Sequence, residues 1–115
     1  RAKLLGKLYA SMQSVEAKLG GGEGVEGLYG SITRSGTQAI LDCQALHACL
    51  CEHSILVDIG AGLGRPLLHA AVSHSVSRSF GVELDPIKCK KAAAFSSRVL
   101  AAVSKDGSSA PAFLC

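Results

Sequence analysis

Two acidic residues and a run of glycines are the part of the sequence best suited to chemistry. The run Asp58-Ile59-Gly60-Ala61-Gly62-Leu63-Gly64 follows a short apolar stretch, and Glu83 comes 25 residues after Asp58. Glycine is needed where a Cβ would collide with a tight turn or with a ligand that lies against the backbone. A carboxylate at the end of a neighbouring strand can accept two hydrogen bonds from a ribose diol. The pattern therefore predicts a site for a nucleoside-type cofactor.

The spacing of the glycines separates the possible cofactors. A dinucleotide-binding loop has its second and third glycines three residues apart, but here Arg65 occupies that position. A Walker-type phosphate loop needs Lys and then Ser or Thr after its last glycine, and the sequence has neither there. An acid ahead of the glycines suits an ammonium group better than a pyrophosphate. S-adenosylmethionine offers an amino group for Asp58 and a ribose for Glu83, so the residues favour a methyl donor over a dinucleotide.

These residues must be positioned by strands and helices. The apolar run over residues 54–59 predicts a strand buried on both faces of a parallel sheet. Pro66 suits the first turn of a helix over residues 65–73. Residues 78–84 predict a second strand. Alternating strands and helices predict a doubly wound α/β fold.

A second crossover helix follows, with Asp85 as its N-cap and Pro86 in its first position. Its expected buried side consists of Ile87, Ala94, Phe95, Val99 and Ala102. A third strand is expected to start at Phe113.

Two helices are predicted ahead of the first strand. Residues 2–19 form an amphipathic helix with its apolar face on Leu5, Leu8, Met12, Val15 and Leu19. Gly20–Gly24 then form a linker. Ser35 and Gln38 have the spacing of a capping box, which predicts a helix to about Leu50. Its expected core stripe consists of Ile40, Cys43, His47 and Leu50.

Two segments carry a resemblance to a known family. VDIGAGLG (residues 57–64) and GVELD (residues 81–85) resemble motifs I and II of the class I, Rossmann-like S-adenosylmethionine-dependent methyltransferases. The upstream LYGSIT (residues 28–33) followed by a helix resembles the non-SET histone lysine methyltransferases, the disruptor-of-telomeric-silencing family. The resemblance covers roughly residues 28–94. It implies a partial Rossmann-like parallel sheet with flanking helices, truncated after the second or third strand.

The resemblance also implies which residues bind S-adenosyl-L-methionine. The upstream loop contributes Tyr29, Gly30 and Ile32. The glycine loop contributes Leu56, Val57, Asp58, Ile59, Gly60, Ala61, Gly62, Leu63, Gly64 and Arg65. Glu83 matches the ribose-binding acid. No acceptor-side catalytic residue can be assigned, because the family's motif after the fourth strand has no counterpart in the sequence.

The expected function is that of an S-adenosylmethionine-dependent methyltransferase, with a protein substrate and histone lysine as the implied acceptor. Residues 1–24 are interpreted as a helix and linker, and residues 25–115 as the N-terminal half of a methyltransferase domain. We expect this chain alone to bind cofactor weakly and not to turn over. Alternatives are a class I methyltransferase with another protein, a nucleic acid or a small molecule as acceptor, a non-catalytic nucleotide-binding module, and a helical interaction domain.

The charge pattern bears on partners. The net charge of +3 resides in the first twenty residues, where Arg1, Lys3, Lys7 and Lys18 oppose Glu16. Such a helix could make a weak nucleic-acid contact, although a solvated face explains it as well. The sequence shows no apolar run long enough to span a membrane and no signal-peptide pattern. We therefore expect an intracellular protein without a membrane partner, nuclear if the histone resemblance holds and otherwise cytoplasmic.

Cysteines and histidines cluster in CQALHACLCEH, residues 43–53. Cys43, His47 and Cys51 are four residues apart, as on one face of a helix, but no C-x-x-C pair is present. We predict no metal site and interpret all five cysteines as reduced thiols. His69 and His74 are expected at the surface or boundary of a crossover helix.

Overall fold

A computed structural model describes residues 2–19, 32–74, 76–103 and 111–115. The elements in chain order are α1 (Ala2–Leu19), α2 (Arg34–His47), β1 (Ile55–Ile59), α3 (Arg65–Ser73), β2 (Arg78–Val82), α4 (Pro86–Val103) and β3 (Ala112–Leu114). The predicted alternation of strands and helices is thus confirmed, including a third strand at Phe113. The predicted linker at Gly20–Gly24 lies outside the described residues.

The three strands form one parallel sheet in the order β1-β2-β3. Asp58 pairs with Gly81, and Gly81 pairs with Phe113, so these three residues share one face of the sheet. Helix α3 packs on β1 and β2, α4 packs on β3, and α1 lies across α3 and α4. The chain therefore has an α/β fold with a parallel sheet flanked by helices.

The prediction that β1 is buried on both faces is wrong. Leu56 and Asp58 are half-buried, whereas Ile55, Val57 and Ile59 point to the other face and are exposed, Ile59 by 83%. Ala112 and Leu114 of β3 are also exposed. The described helices that contact the sheet lie on the face of Asp58, so the opposite, apolar face has no helical cover among the described residues. We call it the open sheet face.

The apolar core lies between helices rather than between sheets. Leu8 and Met12 of α1 are fully buried against Leu68 of α3 and Phe95 and Val99 of α4. The apolar face predicted for α1 is confirmed at Leu5, Leu8 and Met12, and Val15 packs at its edge. Helix α1 is therefore part of the same core as the crossover helices.

Helix α2 departs from its prediction at both ends. Its N-cap is Thr33, whose Oγ1 accepts a hydrogen bond from the Gly36 N–H at 3.0 Å, so the capping box from Ser35 is wrong. The helix ends at His47, and Cys51 lies beyond it.

The stripe predicted as the core side of α2 is also wrong. Ile40, Cys43 and His47 are exposed, and the buried residues are Thr37 and Leu41. The reason is that α2 packs on α3 largely through polar side chains, which an apolar periodicity does not reveal.

His69 of α3 is fully buried, contrary to the expectation of a surface or boundary position. Its Nε2 lies 2.6 Å from Gln38 Oε1, and its Nδ1 lies 2.7 Å from the Tyr9 hydroxyl. Because an amide oxygen only accepts, Nε2–H donates to Gln38, and Nδ1 of the neutral ring accepts from Tyr9. Gln38 donates in turn to Asp42 at 2.9 Å. This polar relay joins α1, α2 and α3, and burial lowers the pKa of His69.

Helix α4 begins as predicted. Asp85 Oδ1 accepts from the Ile87 N–H at 2.9 Å, which confirms Asp85 as the N-cap. The predicted buried side is right at Phe95 and Val99 and wrong at Ile87, Ala94 and Ala102, which are exposed. The remaining buried positions are Cys89, Ala92, Ser96 and Leu100. The buried face is broader than the stripe because α4 contacts both α1 and β3.

The prediction of five reduced thiols is wrong for two of them. Cys89 of α4 and Cys115, directly after β3, form a disulfide with their Cα atoms 5.8 Å apart. The pairing follows from β3 lying beside α4, which residues 26 apart in sequence do not show. Cys43, Cys49 and Cys51 are free thiols.

No helix in the described part of the chain combines the length and apolarity that crossing a bilayer requires.

Candidate cofactor-binding site

The glycine loop forms a tight turn between β1 and α3. Gly60, Gly62 and Gly64 all have positive φ, at 76°, 57° and 84°. The N–H groups of Gly60 and Ala61 both donate to the Val82 carbonyl, at 2.7 and 3.1 Å, which ties the turn to the end of β2. Gly64 ends the turn as the left-handed N-cap of α3. The conformation itself therefore explains why these positions are glycine.

The space around the three glycines differs. A Cβ at Gly60 or Gly62 would meet nothing within 4 Å, whereas one at Gly64 would lie 2.5 Å from the Phe113 ring. A Cβ at Gly81 of β2 would be crowded in the same way, because it would lie 2.7 Å from the Phe113 ring. The Phe113 ring thus fills the inner side of the turn, and the outer side at Gly60 and Gly62 is open to a ligand.

Glu83 is held directly against this turn. Its Oε1 accepts a hydrogen bond from the Gly62 N–H at 2.9 Å, and its Oε2 accepts from the Asp85 N–H at 2.9 Å. Its own N–H donates to the Leu114 carbonyl at 3.0 Å. A carboxylate has about four lone-pair sites, so one on each oxygen is still available to a ligand hydroxyl.

Asp58 lies at the other end of the turn, one residue before the end of β1. Its side chain is on the sheet face that carries Gly81 and Phe113. Burial raises the pKa of this carboxyl group. A buried carboxylate that gains a cationic partner recovers part of the desolvation cost, so an ammonium group fits the position.

The remaining predicted loop residues fall into two sets. Ala61 is buried, Leu63 packs at the edge of the helical core, and Leu56 is half-buried. Val57 and Ile59, in contrast, belong to the open sheet face.

Arg65 forms a salt bridge with Glu16, which joins the start of α3 to α1. Ile32 is exposed just before α2. Tyr29 and Gly30 lie outside the described residues.

The sequence reasoning missed two residues of the site. Phe113 shapes the turn although it is far away in sequence, and only the pairing of β3 with β2 brings it there. Leu84 follows Glu83 and is 95% exposed. Its side chain presents an apolar surface next in sequence to the Glu83 carboxylate. The signal for Leu84 was present, since it directly follows the predicted ribose acid.

The described residues bring no three His, Cys, Asp or Glu side chains together in a way that could ligate a metal ion.

No protein-family model and no curated protein matches this sequence. Among solved structures, an RNA methyltransferase from Salinibacter ruber in complex with S-adenosyl-L-homocysteine is 26% identical, with a TM-score of 0.52. The match covers 74% of this chain and 48% of that one. The [4+2]-cyclase SpnF is 20% identical with a TM-score of 0.51, and the match covers 74% of this chain and 29% of the cyclase. The chain thus spans about half the length of the first structure and less than a third of the second.

These similarities confirm the Rossmann-like α/β fold of the methyltransferases, in agreement with the sequence. They point to no histone lysine methyltransferase. Because a cyclase shares the fold, the reaction must be argued from the site and not from the fold.

Proposed function

We propose that this chain is the cofactor-binding portion of an S-adenosylmethionine-dependent methyltransferase. The observation that carries the proposal is the 2.9 Å hydrogen bond from the Gly62 N–H to the Glu83 carboxylate. It joins the bare turn and the acid into one site, with lone pairs left for a ribose diol. The similarity to a methyltransferase crystallised with S-adenosyl-L-homocysteine supports the same cofactor.

The site residues fit this cofactor in three ways. Gly60 and Gly62 leave open space against the backbone, Asp58 presents a half-buried carboxylate suited to an ammonium group, and Leu84 presents an apolar surface beside Glu83. A cofactor without phosphate is therefore favoured over a dinucleotide, whose pyrophosphate Asp58 would repel.

The bound cofactor would supply a methyl group made electrophilic by its sulfonium. The residues of this chain bind and orient it: Asp58 holds the amino group, Glu83 holds the ribose, and the glycine turn allows close approach. Orientation of this kind accounts for much of the rate gain in direct transfer between two bound reactants. None of the described residues needs to form a covalent intermediate.

The acceptor is the finer part of the proposal. The resemblance of LYGSIT and GVELD to the histone lysine methyltransferases implies a histone lysine as methyl acceptor and a nuclear location. The structural neighbour that acts on RNA favours a nucleic-acid acceptor instead. The exposed Lys3 and Lys7 of α1 are compatible with either acidic partner. Transfer of labelled methyl groups to RNA and to nucleosomes, assayed side by side, distinguishes the two acceptors.

Calorimetric titration tests the cofactor itself. We expect S-adenosylhomocysteine to bind the protein and NAD not to bind. Asp58→Asn and Glu83→Gln should each weaken binding about tenfold or more, because each removes a charge-assisted hydrogen bond. Glu52→Gln is the matched control, since Glu52 is exposed and pairs only with His53 in the described structure.

Equal binding of S-adenosylhomocysteine by all four proteins would refute the assigned site. Binding of NAD in place of S-adenosylhomocysteine would favour the nucleotide-binding module. If neither ligand binds, the methyltransferase proposal fails, and the result favours the alternative of a helical interaction domain.

A further inference from the structure

The Cys89–Cys115 disulfide joins two segments that each contact Glu83 through hydrogen bonds. Cys89 is in the first turn of α4, which begins three residues after Glu83, and Cys115 follows β3. Both partners of the bond are therefore attached to segments that already hold Glu83.

Two chains of contacts leave Glu83 and meet at this bond. In one, Glu83 Oε2 accepts from the Asp85 N–H, and the Asp85 carbonyl accepts from the Cys89 N–H at 3.0 Å. In the other, the Glu83 N–H donates to the carbonyl of Leu114, the residue before Cys115. The disulfide closes these two paths into a ring, which we call the Glu83 ring.

The disulfide ties the end of strand β3 covalently to α4. This strand has three residues, pairs with β2 alone among the described strands, and exposes both Ala112 and Leu114. Strands this short contribute little pairing energy by themselves. The ring of Phe113, however, is the wall that supports Gly64 and Gly81. What fixes β3 to α4 therefore also fixes the inner side of the glycine turn.

We propose that Cys89 and Cys115 are positioning residues for the cofactor site, and that their disulfide holds Glu83 and the glycine turn in the binding geometry. The inference rests on the proposed function for its ligand, but the Glu83 ring does not depend on it. Reduction by a dithiol breaks the S–S bond with two electrons and two protons. It yields the Cys89 and Cys115 thiols and the cyclic disulfide of the reductant. Cofactor affinity then becomes sensitive to the redox state of this pair.

Amide hydrogen exchange tests the Glu83 ring without any cofactor. The oxidised protein and the protein reduced with dithiothreitol are compared. We expect reduction to increase exchange at the amides of Gly62 and Glu83, whose acceptors belong to the ring. Exchange at Thr37, which bonds to Thr33 at the start of α2, and at His74, which bonds to Ala70 at the end of α3, should not change. Equal exchange at Gly62 and Glu83 in both states overturns the proposal. A uniform loss of protection at all four amides also overturns it, because the disulfide would then stabilise the whole fold and not the site in particular.

Titration with S-adenosylhomocysteine tests the consequence for binding. If reduction leaves the binding geometry in about a tenth of the molecules, the apparent affinity falls roughly tenfold. Cys89→Ser and Cys115→Ser should each bind like the reduced protein and no longer respond to dithiothreitol. The matched control replaces Cys43, Cys49 and Cys51 with Ser and should keep the full response, because these thiols are free.

A double-mutant cycle shows whether the effect acts through Glu83. In Glu83→Gln, reduction should cost clearly less affinity than in the wild-type protein, since the side chain being positioned has lost its charge. An undiminished cost overturns the positioning role. If the oxidised protein binds no S-adenosylhomocysteine while the exchange pattern is as expected, only the proposed function fails. If binding is tight in both redox states, only the disulfide proposal fails.

Discussion

Alanine substitutions at three glycines can separate backbone strain from steric crowding in the turn. Gly62 has positive φ and open space, Gly81 lacks a positive φ but is crowded, and Gly64 has both a positive φ and a crowded Cβ position. The three variants therefore carry different combinations of the same two costs. Gly6 of α1, which has no atom within 4 Å of its Cβ position, provides a control without either cost.

The sizes of the effects follow from the geometry. Gly62→Ala should lower the free energy of unfolding by about 1–2 kcal/mol, the cost of a left-handed conformation for a residue with a Cβ. Gly81→Ala places a Cβ 2.7 Å from Phe113 and 2.9 Å from Ala61, and overpacking of this kind costs about 1–3 kcal/mol. Gly64→Ala combines the two and should cost about 2–5 kcal/mol. Gly6→Ala should stabilise the protein by about 1 kcal/mol, because alanine favours a helix.

Urea unfolding followed by far-ultraviolet circular dichroism gives the four free energies, and calorimetry gives the affinity for S-adenosylhomocysteine. Gly62→Ala should weaken binding about tenfold or more even where the protein is fully folded, since its methyl group occupies the open side of the turn. The reasoning is refuted if Gly64→Ala is no more destabilising than Gly62→Ala. It is also refuted if trimming Phe113 to Ala fails to reduce the cost of Gly64→Ala in the double variant.

Three further substitutions test other parts of the structure. Burial raises the pKa of Asp58 above 3.8, so the folded chain binds more protons there than the unfolded chain, and stability falls as pH rises from 3.8 through the folded pKa. Asp58→Asn should remove this pH dependence of the free energy of unfolding in urea titrations and stabilise the unliganded protein near neutral pH. Burial lowers the pKa of His69 below 6.5, so the unfolded chain binds more protons there than the folded chain, and stability should decrease as pH falls from 6.5 through the folded pKa. His69→Gln should flatten that part of a plot of unfolding free energy against pH. An unchanged plot would contradict a buried neutral ring. Thr33→Ala should cost about 1 kcal/mol in urea unfolding while Ser35→Ala costs little, and the reverse order would restore the capping box from Ser35.

The local signals in the sequence were sufficient for most of the element pattern. Pro66 and Asp85 mark helix starts by their own chemistry, and the run of glycines marks a turn with positive φ, so α3, α4 and the glycine loop were all predicted. The site was predicted where it depends on such local signals. Glu83 and Gly62 do come together, because the ends of neighbouring parallel strands meet at one edge.

The failures concern contacts between segments far apart in sequence. Phe113 was missed as the wall of the turn, and Cys115 as the partner of Cys89, because both depend on where β3 lies. His69 was misplaced because its burial is stabilised by Tyr9 and Gln38 from two other helices. An apolar run was interpreted as doubly buried, since hydrophobicity reports a preference for burial and not the presence of a cover.

The open sheet face affects which optical probe can follow the unfolding of this protein. Ile55, Val57 and Ile59 offer a native binding surface for environment-sensitive hydrophobic dyes, which report exposed apolar area. A dye-based melting curve should therefore begin with high fluorescence before any unfolding has occurred. The sequence also contains no tryptophan to serve as an intrinsic probe. Val57→Lys should lower the initial dye fluorescence, because less dye binds, without altering the circular dichroism spectrum.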